Sequence, residues 1–455
     1  MGRLFGTDGA RGVANTELTC ELAMAIGRAA AMVLIETAQR RPTVVIGKDT
    51  RASSDMLENA LCAGLCSVGA DVLLLGVIPT PAVAYLVSKY GADAGIMISA
   101  SHNPCEYNGI KLFDGKGYKL PDTLEAEIEA IVLDGKKTPP TPIGGEVGRI
   151  LPPRPAVDDY VYHLLGTTEI DLRGMKLAVD CANGSASATA RKLFSALGAD
   201  CVYINDQPDG TNINANCGST HMEQLTELVK KMDFAAGVAF DGDADRCLAV
   251  DEKGNLLDGD KIIAALAYHM KEQGRLPGDT AVVTVMSNLG FFRFCEEKHI
   301  HTVSTKVGDR YVLEEMRREG YTLGGEQSGH IILSQFATTG DGQLSAIQLL
   351  TMARRRGWKL SRVGALMERY PQVMVNVRAD AAQKQQFNDS KSLQAAVKAA
   401  DESLGRDGRV LVRVSGTEPL VRVMVEGKDF DHINSIALEL ADTIKAALKK
   451  DEKDA

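Results

Sequence analysis

The sequence predicts an α/β protein with three similar mixed α/β domains and a smaller C-terminal α+β domain. The chain has 455 residues, more than a single hydrophobic core supports, so three or four domains are expected. Up to about residue 355, strand-like and helix-like stretches alternate in the manner of βαβ units. After residue 369 the order of strands and helices changes to that of a small α+β domain.

The first domain is expected to span residues 1–150. Three apolar, β-prone runs alternate with two helical patterns, and Pro81 suits the first turn of the second helix. The predicted strands are Thr43–Ile46, Asp71–Leu75 and Gly95–Ala100, and the predicted helices are Ser53–Ser67 and Thr80–Tyr90. A stretch rich in proline and glycine, residues 136–155, predicts a linker to the next domain.

The remaining domains are expected at residues 151–253, 254–368 and 369–455. Domain 2 has predicted strands at Lys176–Asp180, Cys201–Ile204 and Ala235–Phe240, with helices at Ser187–Leu197 and Met222–Met232. Domain 3 has predicted strands at Ala281–Val285 and His301–Thr305, with helices at Lys261–Glu272, Gly308–Arg318 and Asp341–Arg354. Domain 4 has predicted strands at Val373–Val377, Val410–Val414 and Val421–Glu426, with helices at Ser392–Leu404 and Asp431–Lys449. We interpret the first three domains as a threefold repeat of one α/β unit.

Composition restricts the partners. The chain is 45% hydrophobic and 24% charged, as soluble globular proteins are, and its net charge of −9 argues against nucleic acid. Its nine cysteines include no CxxC pair, which favours free thiols in a reducing compartment. The longest apolar helical stretch, residues 22–35, contains Arg28 and is too short to span a bilayer. We therefore expect a cytoplasmic protein with no nucleic acid or membrane partner.

The most informative motif is Gly-Ile-Met-Ile-Ser-Ala-Ser-His-Asn-Pro, residues 95–104. An apolar strand ends there in a polar turn, and Asn103-Pro104 keeps the next residues out of a helix. Ser101 and His102 therefore lie at the carboxyl end of a strand, where open α/β sheets bind ligands. This position favours Ser101 as a nucleophile. The alternative is a capping serine at a strand-to-loop junction.

A second motif, Asp241-Gly-Asp-Ala-Asp-Arg246, places three carboxylates at alternating positions. Oxygen ligands of this kind select a hard divalent ion, and Mg²⁺ fits best. An EF-hand is the rival, since Glu252 falls at its twelfth position. However, Arg246 occupies the sixth position, where that loop needs glycine, and strands rather than helices flank the motif. The other alternative, a solvated acidic turn, is weakened by repulsion among Asp241, Asp243 and Asp245.

Two further loops suit a phosphorylated sugar. In Gly324–His330, Glu326 and Ser328 offer hydrogen bonds to vicinal hydroxyls, although a simple turn explains the same residues. In Arg413–Arg422, two hydroxyls, a glycine amide and two arginines form the chemistry of an anion cradle. Its residues are Arg413, Ser415, Gly416, Thr417 and Arg422. A hairpin with surface arginines is the alternative.

Three weaker signals lie elsewhere. Gly6–Gly12 is glycine-rich and is expected to hold Arg11 in a loop, and Lys111 follows the serine motif closely enough to reach the same site. The turns Lys48–Arg51 and Lys306–Arg310 are basic and of low specificity. From the second turn we assign Lys306, Asp309 and Arg310 to substrate binding.

Together, these motifs resemble the α-D-phosphohexomutase superfamily, in the family's order and from Gly6 to about Gly427. The serine motif looks like its phosphoserine loop and the acidic motif like its metal loop. Gly324–His330 resembles its sugar-binding loop, and Arg413–Pro419 resembles its phosphate loop. The opening Phe5–Gly12 and Gln327 are similar to the branch that acts on glucosamine phosphates. The resemblance implies four domains around a central cleft, each supplying one motif.

The resemblance also implies an isomerase that interconverts glucosamine 6-phosphate and glucosamine 1-phosphate, a step toward UDP-N-acetylglucosamine and peptidoglycan. Ser101 would carry phosphate, and a bisphosphorylated sugar would form and turn around. Glucosamine 1,6-bisphosphate or glucose 1,6-bisphosphate would be the phosphorylating activator, and the C-terminal domain would move about residues 367–372. A homodimer is a further expectation. The implied roles are Mg²⁺ binding by Ser101, Asp241, Asp243 and Asp245, proton transfer assisted by Arg11 and Lys111, stabilisation of the phosphoserine by His102 and Arg246, and sugar binding by Glu326 and Ser328.

Three alternatives stay open at this point. The nearest is a sister mutase acting on glucose or mannose phosphates, because one amino group at C2 is a small difference to recognise. The second is a phosphatase with a phosphoserine intermediate, which would release inorganic phosphate. The third is a non-catalytic sensor of sugar phosphates, which would not need Ser101.

Overall fold

Three of the four sheets repeat one strand pattern. The computed structural model describes residues 2–6, 8–38, 40–415 and 418–449. In each of the first three sheets one strand lies between two parallel neighbours, and one of those neighbours also pairs with an antiparallel strand. The fourth sheet is wholly antiparallel. The predicted fold class, three similar α/β units and a smaller α+β unit, is confirmed.

The first sheet has the order β1-β5-β4-β2-β3. Its strands are β1 (Ala10–Val13), β2 (Thr43–Lys48), β3 (Asp71–Val77), β4 (Ala94–Ile98) and β5 (Tyr107–Asp114), and its helices are α1 (Cys20–Ala38), α2 (Ala52–Ser67), α3 (Thr80–Tyr90) and α4 (Asp122–Asp134). Every residue of β4 is buried, as expected for its apolar run.

Two expectations for this sheet were wrong. The strand predicted to reach Ala100 ends at Ile98, so Ser99 already belongs to the serine loop. Arg11, expected in a loop, lies in β1 and is the register partner of Gly109 in β5. The ladder with β5 makes this short segment a strand, although glycine next to Arg11 weakens the local β signal.

The second sheet has the order β10-β9-β8-β6-β7. Its elements are α5 (Ala156–Leu165), β6 (Lys176–Asp180), α6 (Ala190–Ala196), β7 (Asp200–Ile204), α7 (Glu223–Lys231), β8 (Ala236–Phe240), β9 (Cys247–Asp251) and β10 (Leu256–Leu257). Strands β8 and β9 are fully buried and flank the acidic motif, which confirms that the motif is not an EF-hand.

The third sheet has the order β12-β11-β13-β14. The elements of this segment are α8 (Gly259–Glu272), β11 (Thr280–Thr284), α9 (Leu289–Glu297), β12 (His301–Thr305), α10 (Asp309–Glu319), β13 (Leu323–Gly325), β14 (Ile331–Leu333), α11 (Gly342–Arg355) and α12 (Leu360–Gly364). Asp341 caps α11 by accepting a hydrogen bond from the Leu344 backbone N–H, which satisfies one otherwise unpaired donor of the first turn.

The chain divides into two compact units. Unit 1 comprises residues 1–286 and 298–366 and holds the three repeated sheets. Unit 2 comprises residues 287–297 and 367–455. The elements of unit 2 besides α9 are β15 (Gln372–Arg378), α13 (Ala381–Asp389), α14 (Lys391–Leu404), β16 (Gly408–Val414), β17 (Leu420–Gly427) and α15 (Phe430–Lys449). Its core is the buried face of the sheet against α15, with Val421, Val423, Val425, Ile433 and Ile444.

The repeated strand pattern determines where the loops that carry the three sequence motifs lie. In each of the first three sheets one loop joins the last parallel strand to its antiparallel partner. These three loops are residues 99–106, 241–246 and 326–330, and they contain the serine motif, the acidic motif and the predicted sugar motif. The carboxyl ends of parallel strands are the edge at which α/β sheets bind ligands. Among the described residues, no helix is both long and apolar enough to cross a membrane.

Candidate active site

Ser101 follows β4 and is 1% exposed. Its backbone has φ of +53°, the left-handed region that non-glycine residues rarely adopt. Its Oγ donates a hydrogen bond to Asp241 Oδ2 at 2.6 Å and lies 3.4 Å from His102 Nδ1. The structure therefore brings the predicted nucleophile into direct contact with the predicted metal loop.

The three aspartates of the metal loop converge. Each of Asp241, Asp243 and Asp245 is buried and offers one oxygen within 4.8 Å of the others. Ala244, with φ of +56°, turns the chain between the last two. Asp243 Oδ1 and Asp245 Oδ1 are buried and have no hydrogen-bond partner among the described residues. Unpaired anionic oxygens in a dry site are costly, so this donor set fits a hard divalent cation.

Electrostatics in the triad support this interpretation. Burial, together with the neighbouring charges of Asp245 and Asp243, raises the pKa of Asp241 well above its usual range. Three carboxylates that share one small volume repel one another, so the protein pays in free energy to keep them ionised. A divalent cation removes this repulsion.

Lys111 supplies one positive charge to the triad. It lies in β5, is 2% exposed, and its Nζ is 2.8 Å from Asp243 Oδ2 and 3.6 Å from Asp245 Oδ2. Burial alone would lower the pKa of Lys111, but the carboxylates of Asp243, Asp8 and Asp245 outweigh it and raise the pKa. Lys111 is therefore an ammonium ion at neutral pH, suited to stabilising negative charge.

Asp8 connects the glycine-rich N-terminal loop to this cluster. It pairs with Arg11, and it accepts from Lys111 Nζ at 3.0 Å and from Lys119 Nζ at 2.7 Å. Lys119 Nζ in turn lies 2.6 Å from Asp309 Oδ2. The sequence analysis missed both Asp8 and Lys119. Asp8 stands inside the glycine-rich motif and was readable there, whereas nothing local marks Lys119.

His102 and Arg246 have different charges. Burial, and then the positive charges of Arg246 and Arg11, lower the pKa of His102 to about 4, so its imidazole is neutral near pH 7. Burial alone would lower the pKa of Arg246, but Asp241 and Asp245 raise it. Of the two residues predicted to stabilise a phosphoserine, only Arg246 brings a positive charge. His102 can contribute a hydrogen bond.

The third loop joins the metal loop through the backbone. Arg246 and His330 form an isolated antiparallel bridge, and Cys247 donates its N–H to Gly329 O at 3.0 Å. Gly329 has φ of +92°, and a Cβ there would lie 2.4 Å from Cys247 O, so only glycine fits. His330 Nδ1 lies 3.5 Å from Asp245 Oδ2, a contact that the sequence analysis did not assign.

Within this loop, the two predicted sugar ligands differ in what they bind. Glu326 Oε1 accepts a hydrogen bond from the Gly308 N–H at 3.1 Å. Ser328 Oγ is buried and has no hydrogen-bond partner among the described residues. A buried hydroxyl without a partner is rare in folded proteins and is available to a ligand.

The three residues predicted from the basic turn at 306–310 have different contacts. Asp309 pairs with Lys119, as described above. Arg310 is paired with Asp122, with Glu125 Oε2 at 3.7 Å and with Glu314 Oε1 at 3.1 Å. Lys306 is exposed, with its ammonium 6.0 Å from the centre of the Tyr311 ring. Of these three residues, Asp309 is linked through Lys119 to Asp8, which contacts Lys111.

Unit 2 contains the predicted phosphate loop. Arg413 in β16 and Arg422 in β17 are register partners, so their side chains share one face of the sheet. Burial and the charge of Arg422 lower the pKa of Arg413. Ser415 Oγ accepts from the Glu418 N–H at 3.2 Å. Gly416 and Thr417 lie outside the described residues.

Two details of this loop were not predicted. Arg422 also pairs with Glu418, and Lys384 of α13 donates to Ser415 O at 2.7 Å. The lysine is 31 positions from the serine in sequence, so no local pattern indicates this contact. The two facing arginines keep the main property expected of an anion site, a local excess of positive charge.

The chain matches four domain families that together cover most of its length. They are described as phosphoglucomutase/phosphomannomutase α/β/α domain I (residues 2–139), domain II (residues 158–254), domain III (residues 258–370) and the C-terminal domain (residues 374–443).

Solved structures support the same fold. A phosphoglucomutase/phosphomannomutase family protein from Burkholderia thailandensis is 26% identical, with a TM-score of 0.82 and 98% of each chain covered. An Aspergillus fumigatus N-acetylphosphoglucosamine mutase, solved with GlcNAc-6P and magnesium, is 18% identical with a TM-score of 0.69, covering 98% of this chain and 96% of that one.

Full-length relatives are more similar in sequence. A phosphoglucosamine mutase from Clostridium acetobutylicum is 53% identical, covering 98% of this chain and 99% of the relative. One from Caldicellulosiruptor saccharolyticus is 54% identical, covering 98% and 100%. With all four domains present in order and this identity over nearly the whole length, the chain belongs to the phosphoglucomutase/phosphomannomutase family, in its phosphoglucosamine mutase branch.

Proposed function

We propose that the chain is an isomerase that interconverts glucosamine 6-phosphate and glucosamine 1-phosphate, with Ser101 as the phosphoryl carrier. The observation that carries this proposal is the 2.6 Å hydrogen bond from Ser101 Oγ to Asp241 Oδ2. This contact joins a buried hydroxyl to three carboxylates that could hold a cation, which supports the arrangement that phosphoryl transfer needs. The names of the relatives that are more than 50% identical give the sugar.

Mg²⁺ is the proposed metal, held by Asp241, Asp243, Asp245 and an oxygen of phosphorylated Ser101. When bound, it neutralises charge on the group in transfer and so lowers the barrier electrostatically. The Oδ1 atoms of Asp243 and Asp245, which are buried and accept no hydrogen bond from the described residues, support this assignment.

The proposed reaction has two phosphoryl transfers. In the first, a sugar hydroxyl oxygen bonds to the phosphorus of phosphoserine, the bond from phosphorus to Ser101 Oγ breaks, and Oγ takes up a proton as the hydroxyl loses one. The product is a bisphosphorylated sugar. After this intermediate turns around, Ser101 Oγ accepts its other phosphoryl group by the reverse chemistry. The ammonium of Lys111 and the guanidinium of Arg246 stabilise the negative charge of the phosphoryl group in transfer. Arg11 assists the proton transfer.

The turn requires that the intermediate bind in either orientation. We assign the sugar hydroxyls to Glu326 and Ser328, whose buried Oγ has no partner in the described part of the chain. The distal phosphate is assigned to Arg413, Ser415 and Arg422, together with Gly416 and Thr417. Asp309 orders the site through Lys119.

Four further features belong to this proposal. We place domain boundaries at residues 150, 253 and 368. The activator is glucosamine 1,6-bisphosphate or glucose 1,6-bisphosphate, which phosphorylates Ser101 in the first cycle. The enzyme works in the cytoplasm, and it assembles as a homodimer, which light scattering measures directly.

Intact-mass measurement tests the carrier. Wild type incubated with glucosamine 1,6-bisphosphate and Mg²⁺ should gain one phosphoryl group, and peptide mapping should place it on Ser101. Ser101→Ala should gain none and should lose mutase activity. Phosphorylation at another residue, or an active Ser101→Ala variant, would refute the mechanism.

Product analysis tests the reaction class and the sugar. A mutase converts glucosamine 6-phosphate to glucosamine 1-phosphate with no net inorganic phosphate, whereas stoichiometric phosphate release would identify a phosphatase. Turnover of glucosamine, glucose and mannose 6-phosphates should be compared at equal concentration. A preference for glucose or mannose phosphate would reject the proposed substrate.

A further inference from the structure

Asn214 joins the second sheet's domain to the serine loop. It lies in the connection between β7 and α7, is 8% exposed and has φ of +57°. Its Nδ2 donates to Ser101 O at 2.9 Å and to Asn103 O at 3.1 Å. These contacts span more than 110 positions in sequence, so they position one loop against another.

Arg51 donates to the same two carbonyls. Its Nη2 donates to Ser101 O at 3.0 Å and to Asn103 O at 2.9 Å, and its Nη1 donates to Pro104 O. Asp49 Oδ2 holds the guanidinium through Nε at 2.9 Å, and also accepts from Ser99 Oγ at 2.6 Å. Each carbonyl therefore receives one donor from each of two domains.

The backbone of Ser101 needs such support. Left-handed φ in a residue other than glycine is strained and persists only where the surroundings fix it. The carbonyl of Ser101 is the group that both donors hold, and its orientation depends on the same backbone dihedrals that direct Oγ toward Asp241. A loop freed from these donors would relax, and Oγ would move away from the triad.

Gly242 makes room for this contact. It lies between two of the triad's aspartates, and a Cβ there would come within 2.5 Å of Ser101 O and 2.8 Å of Asn214 Nδ2. The absence of a side chain in the metal loop thus permits the hydrogen bond from Asn214 to the serine loop. The glycine of the Asp-Gly-Asp sequence has a role in the serine loop as well as in its own turn.

We infer that Asn214 is a positioning residue for phosphoryl transfer: with Arg51, it clamps the carbonyls of Ser101 and Asn103 and so holds Oγ at the cation site. This inference deepens the proposed function, and its catalytic part rests on that function. The effect of the clamp on the serine loop can be measured without an activity assay.

Two variants remove the donors in different ways. Asn214→Asp keeps the size and the tolerance for left-handed φ but replaces the amide with a carboxylate. Asn214→Gly keeps the backbone conformation and adds no charge. The matched controls are Asn216→Asp and Asn216→Gly, because Asn216 also has left-handed φ, +54°, but is exposed and two positions away.

The first measurement is hydrogen exchange of the peptide covering residues 99–107, in the absence of substrate. Both Asn214 variants should exchange faster there than wild type, and neither Asn216 variant should. Unchanged exchange in the Asn214 variants would overturn the clamp, whatever their activity. If both Asn214 variants fail to fold, Gly242→Ala should produce the same local increase, and its absence would overturn the clamp as well.

The second measurement is steady-state turnover together with phosphoryl uptake on Ser101. The Asn214 variants should lose roughly 10- to 100-fold in kcat while KM for glucosamine 6-phosphate stays within about twofold, because misplacement of a reacting group affects the transition state more than binding. An equal kcat in Asn214 and Asn216 variants would overturn the catalytic part. If wild-type Ser101 takes up no phosphoryl group, the proposed function fails, and the exchange experiment still decides the clamp.

Discussion

The acidic triad of unit 1 and the arginine pair of unit 2 crowd like charges in opposite ways. In the triad, a loop with a left-handed residue turns alternate side chains inward, and two carboxylate oxygens have no hydrogen-bond partner among the described residues. In unit 2, antiparallel register alone sets Arg413 opposite Arg422. Repulsion disfavours both arrangements in the free protein. Both clusters thus support the proposed binding of a counter-ion of opposite sign, a cation at the triad and an anion at the arginine pair.

Removal of a triad carboxylate should have the largest effect. Asp243→Ala deletes one oxygen ligand and should lower kcat roughly 100- to 10,000-fold, since metal-assisted charge stabilisation is worth several kcal/mol. Mutase assays over a range of Mg²⁺ concentrations measure this. Asp233→Asn, a change at an exposed aspartate of the same domain, should leave activity unchanged. A fully active Asp243→Ala variant would disprove the cation site.

Removal of one arginine should weaken substrate binding. Arg413→Ala deletes a charge-assisted contact to the distal phosphate and should raise KM roughly 10- to 100-fold. Arg413→Lys should fall between wild type and Arg413→Ala, because an ammonium keeps the charge but loses the planar fork. Arg378→Ala, an exposed position in β15, is the control. Equal KM values for Arg413→Ala and Arg378→Ala would disprove the anion site.

Asp341 is a buried carboxyl outside the triad that caps a helix and accepts from Tyr160 Oη at 2.8 Å. Burial, with a smaller contribution from the charge of Asp245, raises its pKa from 3.8 to about 6. The folded state therefore binds this proton more tightly than the unfolded state, and the associated stability is lost as pH rises from about 4 to about 6. Across that range wild type should lose about 3 kcal/mol relative to Asp341→Asn.

Urea unfolding at several pH values checks this prediction. Above pH 7 the difference in unfolding free energy between wild type and Asp341→Asn should become constant, since the carboxyl is then ionised in both states. A difference that does not change between pH 4 and 6 would show that Asp341 has an ordinary pKa.

The smallest expected effect is on the stability of the metal-free protein. Asp241→Asn removes one of three crowded charges while its amide oxygen can still accept from Ser101. Without metal, the variant should melt about 2 to 4 °C higher than wild type. Mg²⁺ should raise the melting temperature of wild type more than that of the variant, because a ligand that binds only the folded state stabilises it. A lower melting point for metal-free Asp241→Asn would contradict the repulsion argument.

Sequence reasoning predicted the contacts that lie within a motif. The three aspartates are two positions apart, and Ser101 follows a buried strand, so local spacing was enough for both. It failed where the contact is made by distant segments. Lys119 and Asp309 are 190 positions apart, and Asn214 reaches Ser101 across 113. Such pairs depend on how whole sheets are placed, which no local pattern encodes.

Basic residues in short segments were harder to place from the sequence. Arg11 was expected in a loop because glycine flanks it, yet pairing with β5 makes a strand there. Arg310 was assigned to substrate binding, and three carboxylates pair with its guanidinium, two of them from α4. In both cases the deciding partner belongs to another part of the chain, and tertiary contacts override local composition.

The three motif-bearing loops, residues 99–106, 241–246 and 326–330, lie at the same position in their sheets, which has a consequence for engineering. Each loop begins and ends on adjacent strands of one sheet, so the ladder between those strands fixes the distance between its two ends. A loop anchored in this way can be exchanged as a cassette between related chains without moving the strands beneath it. A graft of the serine loop would also have to keep Asn214, which donates to the Ser101 and Asn103 carbonyls from outside the loop.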